Sequence, residues 1–189
     1  MKRAVSTATI FAVAFASMPP TVFAADAVET ALAACWSCHG DKIPPKDPTI
    51  PLIQGQQAAY LEKQLLAFRD GTREDQIMSS MAATIARPEI ARASALIAAI
   101  PWPKPKADAA TPAPDAVAAC QACHGADLGG GASPEGVAPR LAGQFARYLD
   151  DRMAAFARGE HAAARTMTAV MKGLPAGDRA ALAKYLAEL

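Results

Sequence analysis

The sequence predicts an all-α chain built from two copies of one helical unit. Alanine and other strong helix formers are abundant in the 189 residues, and runs of alternating β-branched residues are absent. Two long segments repeat Pro, Gly-Gln, Tyr-Leu, Phe and Gly in the same order and at the same spacing. A proline-rich stretch separates the two copies. These three observations favour two small helical domains in tandem.

The first 24 residues are typical of a secretory signal peptide. Lys2 and Arg3 form a positive start, and an apolar stretch then extends to about Met18 before two prolines end it. The small-x-small pattern at 22–24 predicts cleavage after Ala24. A membrane anchor is the alternative, but the apolar run is short for a span. We therefore expect a periplasmic protein without a membrane span.

An internal duplication organises the rest of the chain. PLIQGQQAAYLEKQLLAFRDGTR at 51–73 matches PRLAGQFARYLDDRMAAFARGEH at 139–161, and IMSSMAATI at 77–85 lines up with TMTAVMKGL at 166–174. The period is longer than that of stacked repeats. It predicts a first domain at 25–100 (unit one) and a second at 116–189 (unit two). Residues 101–115, of which five are proline, form a semi-rigid linker.

Each unit is expected to contain about three helices with long loops. A short first helix leads into a cysteine motif. The middle helix carries an apolar stripe, which in unit one includes Tyr60, Leu65 and Phe68. A glycine then ends that helix in each copy, and an alanine-rich helix closes the unit. Units this small bury little apolar surface, so they usually need a disulfide, a metal or a large cofactor.

The motif C-x-x-C-H occurs twice, from Cys35 to His39 and from Cys120 to His124. This is the attachment pattern of haem c. Two thiols one helical turn apart can add to the vinyl groups on one porphyrin edge, and the adjacent imidazole can then ligate the iron. The motif therefore predicts two covalently bound haems. The attachment residues are Cys35, Cys38, Cys120 and Cys123, and the iron ligands are His39 and His124.

Other readings of the four cysteines are weaker. An exported chain with four cysteines usually forms two disulfides, and a lone Cys-x-x-Cys also occurs in thiol oxidoreductases. Zinc prefers four converging ligands. None of these explains an adjacent histidine in both copies of a duplicated, exported unit.

Methionines are the candidates for the second iron ligand. Met78 and Met167 align across the two units and fall in a loop after the middle helix, where they could fold back over the haem. Met81 and Met171 lie nearby and are alternatives, because methionine is also common core filler. Met78 and Met167 are preferred since they alone align.

Two prolines and one histidine complete the candidate sites. The carbonyls of Pro51 and Pro139 could accept the N–H at the back of the ligating imidazole, which would fix its tautomer and raise its basicity. Either residue could instead be an ordinary loop proline. His161 stands where unit one has Arg73, and it is either a surface residue or a neighbour of a haem propionate.

With these residues in place, the chain resembles the di-haem class I cytochromes c of the cytochrome c4 type. The matching pieces are CWSCHG and CQACHG, PLIQGQ and PRLAGQ, the Tyr-Leu…Phe…Gly helices and the two methionine segments. The resemblance implies two tandem cytochrome c domains with His/Met ligation. The chain departs from the family in its short first helices, in Leu96 where unit two has Tyr185, and in His161.

The resemblance implies an electron-transfer protein rather than an enzyme. Its expected role is a shuttle between a respiratory donor and an acceptor such as a terminal oxidase. The alternative is the cytochrome subunit of a periplasmic dehydrogenase, for example a flavocytochrome c sulfide dehydrogenase. A peroxidase would require one iron to lose its methionine, and both units keep one. The chain has a net charge of +1 and no basic stripe, which excludes nucleic-acid binding as its role.

Overall fold

The computed structural model describes residues 21–41, 43–103, 111–161 and 164–189, with side chains from residue 28 onward. The predicted signal peptide lies outside the described residues except for its last four, as does most of the linker, 104–110. Within the described parts the chain is mostly helical, as predicted. No described helix combines the length and apolar character needed to cross a membrane.

The described residues of unit one form four α-helices, the first of which begins before residue 25, and one 3-10 turn. The helices are α1 (Thr21–His39), α2 (Ala58–Arg69), α3 (Gln76–Thr84) and α4 (Ile90–Ala98), and the 3-10 turn spans Arg87–Glu89. The α2 helix packs against both α3 and α4. Its buried Leu61 joins α1 and α4, whereas Leu65 and Phe68 pack with Ile85 and Ile90.

Unit two repeats this arrangement and adds a small hairpin. Its helices are α5 (Val117–His124), α6 (Ala146–Arg158), α7 (Arg165–Gly173) and α8 (Ala176–Ala187). The hairpin pairs β1 (Gly131–Ser133) with β2 (Gly136–Ala138) in antiparallel register. The α6 helix packs against α7 and α8. One core cluster, which includes Leu149, Met153 and Leu182, holds the unit together.

The prediction of three helices in each unit was wrong. The methionine segments are short helices, α3 and α7, rather than loops. Asp75 caps α3, because its Oδ1 accepts hydrogen bonds from the backbone N–H groups of Ile77 and Met78 at 3.1 and 2.9 Å. The α7 helix begins after Ala164, whose methyl side chain cannot accept hydrogen bonds from the first N–H groups of the helix.

The expectation of a short first helix in unit one was also wrong. The α1 helix has 19 residues and begins within the predicted signal peptide. Val28 and Leu32 are buried on it and pack with Ala93 and Ile97 of α4. The first and last helices of unit one therefore do pack together, through aliphatic side chains.

Candidate haem sites

Both C-x-x-C-H motifs lie at the C-terminal end of a helix. Cys35, Cys38 and His39 end α1, and the second motif ends α5 in the same way. The i, i+3 spacing of the two cysteines places their thiols on one helical face. Gly40 then adopts a left-handed backbone with φ of 77°, and a Cβ there would lie 2.0 Å from the carbonyl oxygen of Ile43. This glycine lets the chain leave the helix directly after the histidine.

The two histidines are buried and are held in the same way. His39 is 7% exposed and His124 is 5% exposed. The Nδ1 atom of His39 lies 2.8 Å from the carbonyl oxygen of Pro51, and Nδ1 of His124 lies 2.8 Å from that of Pro139. A carbonyl can only accept, so each Nδ1 carries the proton and donates it. Each Nε2 is therefore left with a lone pair that can bind a metal ion.

Burial also controls the protonation of these rings. It lowers the pKa of both His39 and His124, while the hydrogen bond to the proline carbonyl acts in the opposite direction. Burial dominates, so the neutral imidazole is favoured. Neutral imidazole is the form that ligates iron.

All four cysteines in the described residues are free thiols, and the structure contains no disulfide between them. Cys38 is exposed, Cys35 and Cys123 are half-buried, and Cys120 is buried. Burial raises the pKa of Cys35 and Cys120, so these two remain protonated. Thioether attachment requires two reduced cysteines beside the ligating histidine, and both motifs offer them.

The candidate methionines occupy the same position in the two units. Met78 is the third residue of α3, and Met167 is the third residue of α7. Both are half-buried and pack at the edge of a core cluster. Met171 is 2% exposed and belongs to the core of unit two, which is the role of core filler. Met81 is half-buried like Met78, so burial does not separate these two.

His161 lies against Phe156 and close to the charged groups of Arg73, Arg152 and Glu160. Its ring is 4.6 Å from that of Phe156, and its buried Nε2 has no hydrogen-bond partner among the described residues. Burial, together with the positive charges of Arg73 and Arg152, lowers the pKa of His161 to about 4. His161 is therefore neutral at pH 7.

The same group of side chains joins the two units. The Arg73 guanidinium of unit one donates to the Tyr148 hydroxyl of unit two at 3.5 Å and to Gln64 Oε1 at 2.5 Å. Burial, followed by the neighbouring Tyr148, raises the pKa of Tyr60 to about 12. Arg73 and His161 thus occupy equivalent positions in the repeat and approach one another across the units.

Sequence reasoning missed the glutamines that cross between the units. Gln56 and Gln144 are 5% and 3% exposed, and each bonds to the backbone of the other unit. Both belong to the Gly-Gln pair that recurs in the duplication. The repeat therefore marked their position but gave no indication of their partners.

The residues present fit a covalently bound haem. Each site offers a buried neutral imidazole with a free Nε2, two thiols in the preceding helical turn, and a methionine on a later helix. The fold and this donor set define a c-type cytochrome.

Comparison with known proteins supports this conclusion. Residues 115–189 match the family model of cytochrome c. Over 70 residues the chain is 37% identical to cytochrome c-554(548) of Halomonas halodenitrificans, covering 84% of that protein and 35% of this chain. The chain belongs to the cytochrome c family.

Two longer matches are to a cytochrome c4 and to the electron acceptor of a dehydrogenase. The cytochrome c4 structure of Acidithiobacillus ferrooxidans superposes with a TM-score of 0.71 at 26% identity, covering 83% of this chain and 99% of that one. The thiosulfate dehydrogenase electron acceptor of Stutzerimonas stutzeri is 35% identical in an alignment of 142 positions, gaps included, that covers 67% of this chain. The match spans 64% of that relative's length. The resemblance to cytochrome c4 is confirmed.

Proposed function

We propose that this chain is a periplasmic di-haem cytochrome that carries single electrons between a respiratory donor and an acceptor such as a terminal oxidase. The observation that carries the proposal is the repeated His–Pro arrangement, in which two buried imidazoles in equivalent positions each keep Nε2 for a metal. Haem iron supplies one-electron chemistry when it is bound. Residues of the protein attach the haem and supply the ligands of its iron.

Two groups of residues hold each haem in this proposal. The cysteine pairs attach it covalently, so that it cannot be lost outside the cell. His39 with Met78, and His124 with Met167, would be the protein ligands of the two irons. A histidine and a methionine ligand together would leave the iron without a site for a substrate, so the bound haem would supply electron transfer and no chemistry on a substrate. A methionine ligand and an apolar pocket both raise the reduction potential.

A thiosulfate-oxidising dehydrogenase is the electron donor that we propose. The Stutzerimonas stutzeri relative is named as the electron acceptor of such an enzyme. This donor is favoured over the flavoprotein sulfide dehydrogenase that the sequence also suggested, since that relative's name specifies thiosulfate. In either case this chain supplies the electron-accepting cytochrome and not the catalytic site.

Two measurements test the proposal. Native mass of the protein taken gently from periplasm distinguishes a free shuttle from a subunit of a stable complex. Stopped-flow absorbance then follows haem reduction when the oxidised protein meets a thiosulfate dehydrogenase and thiosulfate. We expect a free single chain and rapid reduction that needs both the enzyme and thiosulfate. A stable complex with a flavoprotein would contradict the shuttle, and the absence of reduction would contradict this donor.

A further inference from the structure

Two buried glutamines exchange hydrogen bonds between the units in a near-symmetric pair. Gln144 of unit two accepts from the Leu52 N–H at 3.0 Å and donates to the Leu52 carbonyl at 2.9 Å. Gln56 of unit one accepts from the Arg140 N–H at 2.7 Å and donates to the Arg140 carbonyl at 3.0 Å. Each glutamine thus binds the residue that follows a site proline in the other unit.

This placement connects each glutamine to a histidine of the other unit. The N–H of Leu52 and the carbonyl of Pro51 belong to one peptide group. The carbonyl oxygen of that peptide accepts the Nδ1–H of His39 at 2.8 Å, while its N–H donates to Gln144. Three groups therefore form one hydrogen-bonded chain, from imidazole through peptide to amide.

The second chain is equivalent and runs in the opposite direction. His124 donates to the carbonyl of Pro139 at 2.8 Å, and the N–H of the same peptide, on Arg140, donates to Gln56 at 2.7 Å. Each unit thus contributes the glutamine amide that ends the hydrogen-bond series on the histidine of the other unit. Because the same arrangement occurs at both histidines, it is a feature of the two sites and not of a single local contact.

The amide orientations are fixed by further contacts. The Gln144 Oε1 also accepts from the Phe145 N–H at 3.0 Å, and the Gln56 Oε1 also accepts from the Gln57 N–H at 2.9 Å. Flipping either amide would set its NH2 group against two N–H donors. The oxygen therefore faces the peptide of the other unit in both cases.

Burial strengthens the effect of these bonds. Leu52 is 1% exposed and both glutamines are at most 5% exposed, whereas Arg140 is half-buried, so water is better excluded from the Leu52 peptide than from the Arg140 peptide. Hydrogen bonds in series polarise one another in such a setting. A peptide whose N–H is donating becomes a better acceptor at its carbonyl, and a better acceptor raises the basicity of the ligating imidazole.

We propose that Gln144 is a positioning residue for the haem of unit one, and Gln56 for the haem of unit two, so that each unit lowers the reduction potential of the other unit's haem. A more basic imidazole stabilises Fe(III) relative to Fe(II), and this sets the direction. The inference rests on the proposed function, because it requires His39 and His124 to be iron ligands. It adds that the two units depend on one another for their potentials.

The competing explanation is that the glutamines only hold the two units together. The protein offers a matched control for this explanation. Gln57 also crosses between the units, where its Nε2 donates to the carbonyl of Gly129 at 3.1 Å. That carbonyl belongs to the Gly129–Gly130 peptide, whose N–H donates to the main-chain carbonyl of His124 at 2.8 Å, so the Gln57 bond reaches the backbone of a site histidine but neither imidazole. Replacing the Gln57 side chain removes this contact between the units. It keeps the backbone N–H that bonds to Gln56 Oε1, and it leaves the hydrogen bonds of both imidazoles in place.

The test uses holoprotein carrying Q144L, Q56L or Q57L. Spectroelectrochemical titration gives the two midpoint potentials, and NMR assigns each potential to its unit and reports the histidine Nδ1–H resonances. We expect Q144L to raise the potential of the unit-one haem and to shift the His39 Nδ1–H signal. Q56L should do the same for unit two and His124, and Q57L should move neither. The milder Q144N serves if Q144L does not fold.

Three results would overturn the inference. Each glutamine variant could shift the haem of its own unit, all three variants could shift both haems equally, or none could shift either. Failure of the proposed function is distinguishable from these results. It would show as a missing haem or as absent histidine ligation in the unsubstituted protein, and any haem that remains still tests the glutamine facing it.

Discussion

Protonation of His161 should destabilise the folded protein in mild acid. The pKa of this residue falls from 6.5 to about 4 on folding, because burial and the charges of Arg73 and Arg152 oppose a further positive charge there. Glu160 acts in the opposite direction but weakly. Below pH 6.5 the unfolded chain binds a proton that the folded chain does not. Stability is therefore fully present above pH 6.5 and is lost as pH falls towards 4.

The magnitude follows from the size of the shift. A difference of about 2.5 pKa units corresponds to about 3.4 kcal/mol at 1.36 kcal/mol per unit. His161 is only half-buried, so solvent screening reduces this to about 1–2 kcal/mol. Substituting glutamine keeps a polar side chain of similar length and removes the titration.

Denaturant unfolding of the wild type and of H161Q at pH 7, 5.5 and 4.5 measures this effect. Carboxylates whose pKa is lowered, such as Glu135, also cost stability in acid, but they do so in both proteins. The difference between the two proteins isolates His161. We expect H161Q to lose about 1–2 kcal/mol less than the wild type between pH 7 and 4.5. Parallel pH profiles would refute the reasoning.

Two further predictions concern packing and the methionine helix. Leu182→Ala should cost about 2–5 kcal/mol of unfolding free energy, because Leu182 is 0% exposed in the core of unit two. Leu189→Ala should cost little, because Leu189 is 50% exposed. Chemical denaturation measures both variants. Asp75→Ala should cost about 1 kcal/mol by removing the cap of α3, and it should weaken the charge-transfer absorption band of a methionine-ligated ferric haem, while Asp75→Asn should preserve both. An unchanged band in Asp75→Ala would argue that Met78 is not held by this cap.

Local patterns in the sequence predicted the elements that repeat. The apolar stripe of the middle helix gave α2 and α6, and the position of Gly159 matches the left-handed end of α6, where φ is 79°. The C-x-x-C-H motif placed both cysteine pairs and both histidines at helix ends. These features depend on residues a few positions apart, so one copy of the repeat is enough to show them.

Features that depend on distant partners or weak propensities were missed. The hairpin of β1 and β2 is built from a glycine-rich stretch without strong strand formers, and it has no counterpart among the described residues of unit one. The helices that carry Met78 and Met167 have only nine residues each, too few for a clear periodicity. Gln144 finds its partner 92 residues away at Leu52, and spacing within the sequence carries no information on such a contact.

The number of covalently bound haems tests the central claim most directly. Denatured-mass spectrometry and iron analysis of the mature protein should give two haems per chain. The pair of variants C35A/C38A and C120A/C123A should each retain one haem, attached to the motif that was left intact. One haem in the unsubstituted chain, or a disulfide within either motif, would contradict the account.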